Sequence, residues 1–266
     1  MSDGVLSRQA AAERFLIRAM TPDEVELAAE WARREGWNPG LHDAPLFRAA
    51  DPGGFLIGLL DGEPVVTISM VRYDETFAFG GFYIVREPYR HLGYGIELTL
   101  AGLELAGNRC IGGDGVVEQQ ENYKKIGFKL AHRNVRYAGR GGGSVPTGVI
   151  PVDQVDFAEL CAYDRRHFPA PREVFLKSWL RQPEGCAYAV REDGALAGYG
   201  VLRKCHEGYK IGPLFAESPA TAGTLFEALA AEAGDAPLFL DLPMPNREAL
   251  ELAQRNGMSP VFETGR

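Results

Sequence analysis

Arg90-His91-Leu92-Gly93-Tyr94-Gly95 joins an apolar run, Phe82 to Val85, to a helical run that begins Ile96-Glu97-Leu98-Thr99-Leu100. The amides that open a helix lack intrahelical acceptors and carry the positive end of its dipole, so an anion placed there gains several hydrogen bonds at once. Gly93 and Gly95 let a diphosphate approach the main chain itself. Arg90 adds a permanent cation suited to a phosphate oxygen. The segment reads as a phosphate cradle at a strand-to-helix turn, although a glycine pair in such a turn also serves plain chain reversal. It is not a dinucleotide fingerprint, because Glu97 and Leu98 stand where a third glycine would fall, and no Gly-Lys-Ser/Thr follows as in a P-loop.

A second signal lies downstream. Tyr123-Lys124-Lys125-Ile126-Gly127-Phe128 reads as a short helix ended by a glycine cap, followed by a strand from Lys129 to Tyr137. Taken together, Val85, Pro88 and the R-x-x-G-x-G of Arg90, Gly93 and Gly95, then the Y-x-x-x-G-F of Tyr123, Gly127 and Phe128, resemble the acyl-coenzyme A site of the GNAT superfamily of N-acetyltransferases. The resemblance implies acetyl-CoA as the bound cofactor. It implies that the main chain at Ile84 and Val85 meets the pantetheine, that the turn from Arg90 through His91, Leu92, Gly93, Tyr94 and Gly95 to Ile96 holds the phosphates, and that Tyr123 is the catalytic acid.

The flanking sequence fits a mixed α/β (α+β) fold. Phe15-Leu16-Ile17 is a short strand, and Thr21-Pro22-Asp23-Glu24 is a capping box with proline at the first helical position, opening an amphipathic helix through Trp31. The apolar runs Phe55 to Leu60 and Val65 to Tyr73 meet at Asp61-Gly62, a hairpin signal. A further strand runs from Phe77 to Val85, and another lies near Cys110-Ile111. The order of signals implies a mixed sheet with helices on its faces. The superfamily resemblance makes that sheet mostly antiparallel.

At 266 residues the chain exceeds one such unit. Gly139-Arg140-Gly141-Gly142-Gly143-Ser144, with Pro146 and Gly148, has linker composition. Beyond it the same signals recur: a helix from Asp156 to Tyr163, a strand through Ala187-Tyr188-Ala189-Val190, a hairpin at Asp193-Gly194, and a return from Leu196 to Arg203. An internal duplication follows. In the second half the turn is Pro213-Leu214-Phe215-Ala216-Glu217-Ser218-Pro219, without an arginine or paired glycines, and Ala253 stands where the superfamily's tyrosine would. The expected layout is a catalytic GNAT domain over 1–138, a linker over 139–148 and a degenerate GNAT-like domain over 149–266.

Transfer of an acyl group to an amine needs donors for the carbonyl oxygen and an acid for the leaving thiolate. With a tyrosine's ordinary pKa of about 10, Tyr123 serves as a proton donor at neutral pH. The carboxylates of Asp74, Glu75, Asp114, Glu118 and Glu121 are all placed to relay a proton, and the base is left unassigned. Trp37-Asn38-Pro39-Gly40 with Asp43 reads as a loop after the first helix, where the resemblance places variable acceptor-binding segments, and Trp37 is the candidate for acceptor binding, with a packing role as its alternative. Trp179 or Arg172 of the second half are further candidates for closing that cleft.

The acidic balance, 36 Asp and Glu against 28 Lys and Arg, argues against nucleic acid as a partner and favours a cationic acceptor. Cys110, Cys161, Cys186 and Cys205 form no C-x-x-C and read as buried thiols of a reducing compartment. Among the histidines, His91 is placed to touch phosphate, while His167 and His206 read as surface groups. No apolar run approaches the roughly 20 residues of a membrane span, and no signal peptide is evident, so a cytoplasmic location is expected. A homodimer is compatible with the sequence. The expected function is transfer of an acetyl group from acetyl-CoA to a primary amine of a small molecule or a protein, the alternative being a non-catalytic acyl-CoA-binding sensor.

Overall fold

The computed structural model describes residues 14–266, so the first thirteen residues of the expected N-terminal domain lie outside the described residues. The chain forms two compact units, one holding residues up to Trp37 and Asp43–Gly112, the other Asn38–His42 and Gly113–Arg266.

In the first unit the elements run β1 (Phe15–Ala19), α1 (Pro22–Arg34), α2 (Asp43–Ala50), β2 (Phe55–Leu60), β3 (Glu63–Arg72), β4 (Phe77–Val85), α3 (Tyr94–Ala106) and β5 (Cys110–Gly113). The strands form one sheet in sequential order, with antiparallel pairing from β1 through β4. Thr21 closes the capping box in full, its hydroxyl accepting from the Glu24 amide while the Glu24 carboxylate accepts from the Thr21 amide. Arg18 grips the same carboxylate at 2.6 and 2.7 Å, and that partner holds it down at about 2. The Asp61-Gly62 turn has φ of 52° and 87°, the left-handed pair that a two-residue hairpin needs.

β2 and β3 are buried almost throughout, because helices cover both faces of the sheet. Phe55, Ile57 and Leu59 pack with Val25 and Ala28 of α1, while Leu56, Val66 and Ile68 pack with Leu98 of α3. Each fully buried side chain of this size contributes roughly 1.5–3 kcal/mol.

The second unit contains β6 (Gly115–Val116), α4 (Gln120–Lys125), β7 (Arg133–Arg140), β8 (Val149–Pro151), α5 (Phe157–Asp164), α6 (Glu173–Trp179), β9 (Cys186–Glu192), β10 (Ala195–Lys204), β11 (Tyr209–Ala216), α7 (Pro219–Glu232), β12 (Pro237–Pro243), α8 (Arg247–Arg255) and β13 (Ser259–Gly265). Its eight-stranded sheet has the order β6-β13-β7-β12-β11-β10-β9-β8, with β11 and β12 parallel. Leu225 and Leu229 of α7 are fully buried, and the core continues through Leu238, Leu240, Leu252 and Ala253.

Two stretches are more regular than their composition suggests. The compact units divide at Gly112/Gly113, and β7 pairs with β12 along Asn134–Arg140 and with β13 along Arg133–Ala138. Gly139 and Arg140 therefore belong to a strand, and only the stretch after them connects. Gly139 is required by packing, since a Cβ there would lie 2.8 Å from the Met258 side chain. The segment from Asp43 is likewise the helix α2 rather than loop, and Asp43 itself is buried.

The duplication is visible in the strand irregularities. The β3–β4 register slips between Thr67 and Ser69 opposite Ile84 and Gly81, which makes a bulge in β4 at Phe82 and Tyr83. The β10–β11 register slips between Gly200 and Leu202 opposite Leu214 and Ile211, placing the corresponding bulge at Gly212 and Pro213.

Candidate active site

The bulge decides what the first unit presents. Phe82 takes φ of 48°, a left-handed conformation that is costly for a bulky residue, and its carbonyl accepts from Thr67 Oγ1 at 2.9 Å. The extra residue turns β4 away from regular pairing just before Ile84 and Val85. Ile84 is buried and Val85 half-buried, so the strand offers main chain here more than side chain.

Beyond Val85 a short 3-10 turn, Glu87–Tyr89, leads to the cradle. Gly93 is the N-terminal residue of α3 at φ of 98°, with open space where a Cβ would stand. The amides of Leu92, Gly93, Tyr94 and Gly95 donate to no partner among the described residues, while those of Ile96 and Glu97 turn back to the Gly93 carbonyl. That leaves a row of outward donors at the positive end of a 13-residue helix. His91, with φ of 66°, is exposed, as are Leu92 and Ile96. Tyr94 is half-buried against Phe15 at 4.8 Å and Tyr89 at 6.4 Å between ring centroids, which anchors the turn to β1. These donors fit an anionic ester of the diphosphate kind.

Gly95 is also required by packing. It is buried, and a Cβ there would fall 2.3 Å from the Tyr83 hydroxyl and 3.0 Å from Val85 Cγ2. The glycine lets α3 lie close on β4. Thr99 Oγ1 donates to the Gly95 carbonyl at 2.8 Å, and burial pushes the Tyr83 phenol above the ordinary tyrosine range, with its Thr99 hydrogen bond opposing. Gly95→Ala is therefore expected to cost about 1–3 kcal/mol by overpacking. Adding Tyr83→Phe, which removes the obstructing oxygen, should return part of that loss in urea denaturation; strict additivity of the two changes would show the contact to be unimportant.

Arg90 has protein partners: its Nε donates to the Val85 carbonyl at 2.9 Å and its Nη2 to Glu35 at 2.7 Å. Trp37 packs against the cluster of Trp31, Ala32 and Ile84, so the structure brings it to the bulged strand as a half-buried side chain. The residues after it are not a free acceptor loop. Asn38 exchanges hydrogen bonds of 2.9 Å with the main chain of Glu207 and its carbonyl accepts from Lys210 Nζ at 3.0 Å, while Leu41 donates to the Lys204 carbonyl. Sequence reasoning missed Lys210. It is almost completely buried, and burial together with Arg203 and Arg136 brings its pKa down to about 8.

Tyr123 belongs to the second unit, on α4, whereas the cradle belongs to the first. Its ring meets Phe128 edge-on at 6.2 Å and lies over Gly115, where a Cβ would come within 2.4 Å of it. Gly127, at φ of 99°, ends the helix, and the Phe128 amide donates back to the Tyr123 carbonyl at 3.1 Å. The motif residues thus form one packed corner.

Most of the carboxylates considered as bases are committed locally. Asp74 accepts from the amides of Thr76 and Phe77, Glu75 pairs with Arg109 at 3.2 Å, Asp114 takes both Arg266 at 2.7 Å and Asn134 at 2.8 Å, and Glu121 pairs with Lys124 at 2.6 Å. Trp179 and Arg172 are also structural: Trp179 is buried with its indole donating to the Gly212 carbonyl, and Arg172 makes a bidentate pair with Asp164.

The second unit's turn is closed by its own side chains. Ser218 caps α7 by accepting from the Thr221 amide at 3.1 Å, Thr221 donates its hydroxyl to the Glu192 carboxylate, and Glu217 pairs with Arg166 at 3.0 Å. Two carboxylates at a helix start repel a further anion. His167 is exposed, and it stacks on Phe215 at 4.6 Å, where desolvation lowers its pKa. Of the cysteines only Cys205 is buried; Cys110 is exposed and Cys161 and Cys186 are intermediate. Among the described residues no helix is long and apolar enough to cross a membrane, and no side-chain group is arranged to hold a metal ion.

Comparison with known proteins covers both repeats. Residues 22–128 match the pattern of the acetyltransferase (GNAT) family, and residues 160–266 match that of an acetyltransferase (GNAT) domain. The chain is 32% identical over 249 residues to holothin acyltransferase of Pseudoalteromonas sp. strain SANK 73390, covering 92% of this chain and 84% of that protein. It is 27% identical over 177 residues to the uncharacterized N-acetyltransferase YitH of Bacillus subtilis strain 168, covering 63% of this chain and 62% of that one. Among solved structures, a putative acetyltransferase from Pyrococcus horikoshii superposes with a TM-score of 0.77 at 24% identity, over 95% of this chain and 88% of that one. A tandem GNAT protein from the clavulanic acid biosynthesis pathway gives 0.63 at 16% identity, over 94% and 97%.

Proposed function

This chain belongs to the GNAT acetyltransferase family, with two GNAT domains in tandem, and we propose that it transfers an acetyl group from acetyl-CoA to a primary amine of a small molecule. The observation that carries the reading is the row of open amides from Leu92 to Gly95 directly after a bulged β4. Those amides hold the diphosphate of the donor, and the main chain at Ile84 and Val85 meets its pantetheine. Donor binding belongs to the first repeat, since the second repeat's turn carries Glu192 and Glu217 instead.

Bound there, acetyl-CoA supplies a thioester whose C–S bond breaks as the new C–N bond forms. Tyr123, assigned from its place in the Y-x-x-x-G-F motif, gives its phenol proton to the departing sulfur, the proton lost from the amine passes to solvent, and solvent returns one to the phenolate. With the candidate carboxylates largely tied in ion pairs, alignment of an already neutral amine carries the remainder; proximity alone supplies about 7–11 kcal/mol. The similarity to holothin acyltransferase makes holothin the first acceptor to try.

The test is thiol release from acetyl-CoA, and from longer acyl-CoAs, against a panel of amines that includes holothin and lysine-containing peptides. Turnover with a small amine and none with peptides is the expected result. Saturable donor binding with no thiol release on any acceptor would overturn the assignment in favour of a protein that only senses the donor.

A further inference from the structure

The side chain of Arg90 does not stand free beside the amides of the cradle. It is fixed at both ends of its guanidinium, with Nε on the last carbonyl of β4, that of Val85, at 2.9 Å and Nη2 on Glu35 at 2.7 Å. Glu35 is the C-terminal cap of α1 and lies two residues before Trp37, which packs against the cluster of Trp31, Ala32 and Ile84, the last of these on the bulged strand. One ion pair therefore ties three things together: the turn that opens α3, the end of β4, and the end of the helix that carries Trp37.

From this the geometry points to Glu35 as a positioning residue that occupies Arg90 until the acyl donor arrives, so that donor binding precedes and prepares the Trp37 side of the site. The inference rests on the reading of the turn as the donor's diphosphate cradle. Both partners are partly exposed, with side-chain exposures of 43% and 38%, so the pair is weak and exchangeable. A diphosphate seated on the amides of Leu92 to Gly95 offers Arg90 a doubly charged acceptor, and charge-assisted bonds to phosphate outcompete a single exposed carboxylate. Glu35 also opposes the incoming anion directly, because its negative charge is held at the cradle by Arg90. When Arg90 changes partner, Glu35 is released, and the end of α1 with Trp37 loses its tether to Val85.

Glu35→Gln keeps the shape and removes the charge. For that variant the dissociation constant for coenzyme A is expected to fall by up to about fivefold at low ionic strength, with the gap to the wild type closing in high salt. The KM for the donor should fall with it while kcat stays the same. Product inhibition should change from the ordered pattern, donor first, to a random one. The change in tryptophan emission on donor binding, assigned to Trp37 by its loss in Trp37→Phe, should be smaller in Glu35→Gln because the tether is already gone. Arg90→Ala separates the two levels. If it weakens coenzyme A binding while Glu35→Gln leaves affinity, inhibition pattern and emission unchanged, or lowers affinity, the role of Glu35 is refuted and the cradle stands. If Arg90→Ala binds coenzyme A as the wild type does, Arg90 makes no contact with the donor and the role of Glu35 is refuted, while the cradle of amides falls only if the chain does not bind coenzyme A at all.

Discussion

Tyr123→Phe is expected to lower kcat by about a hundredfold while leaving the KM for acetyl-CoA and the melting temperature close to those of the wild type. A positioned general acid is worth roughly 10²–10⁴ in rate. The lower end applies here, because a thiolate is a good leaving group and water replaces part of the lost proton transfer. The substitution removes one oxygen and keeps the ring, so the edge-on contact with Phe128 and the fit over Gly115 are retained. The loss should therefore appear in steady-state rates and be absent from binding isotherms. Unchanged kcat would remove Tyr123 from the chemistry and leave its motif position a packing feature.

Asp164→Ala is expected to destabilise the protein by about 3–5 kcal/mol, with no comparable effect from Asp164→Glu if the ion pair re-forms. Asp164 has a side-chain exposure of 2% and Arg172 of 10%. The carboxylate accepts from Arg172 Nε at 2.9 Å and from Nη2 at 2.7 Å, and it also accepts from the buried Tyr199 hydroxyl. Removing it deprives a guanidinium and a phenol of their shared acceptor in a place water reaches poorly. Tyr163 and Phe215 pack edge-on against Tyr199, at 6.2 and 5.7 Å, so the disturbance spreads into the aromatic layer behind β10. For a unit of this size the midpoint of thermal unfolding should drop by about 10 °C or more. A shift below about 2 °C would mean that the pair is solvated in the native state.

Local signals in the sequence were reliable guides to local structure. Thr21-Pro22-Asp23-Glu24 does cap α1, and Asp61-Gly62 and Asp193-Gly194 both take left-handed dihedrals at the hairpins they mark. The strand from Phe77 to Val85 has the bounds its apolar run suggests. These features depend on a few adjacent residues, whose own sterics choose the conformation. The partner of β7 is a different matter. Strand pairing is set by long-range packing, and a run of glycines next to an arginine carries no mark of Met258, which lies more than a hundred positions later and fills the space beside Gly139. Pro45 lies in the first turn of α2, where a proline is tolerated because its missing amide would have had no acceptor. At the site, the motif located the turn but carried no mark of the packing of Gly95 on β4 or of the partners of Arg90. Those depend on Tyr83, Val85 and Glu35, none of which the turn itself names.

The placement of β7 decides where the chain can be divided. With β7 seated between β12 and β13, the eight-stranded sheet draws on both sides of the glycine tract. Severing the polypeptide at that tract would leave the front fragment with a strand and nothing to zip it to, and the back fragment with a gap in its middle.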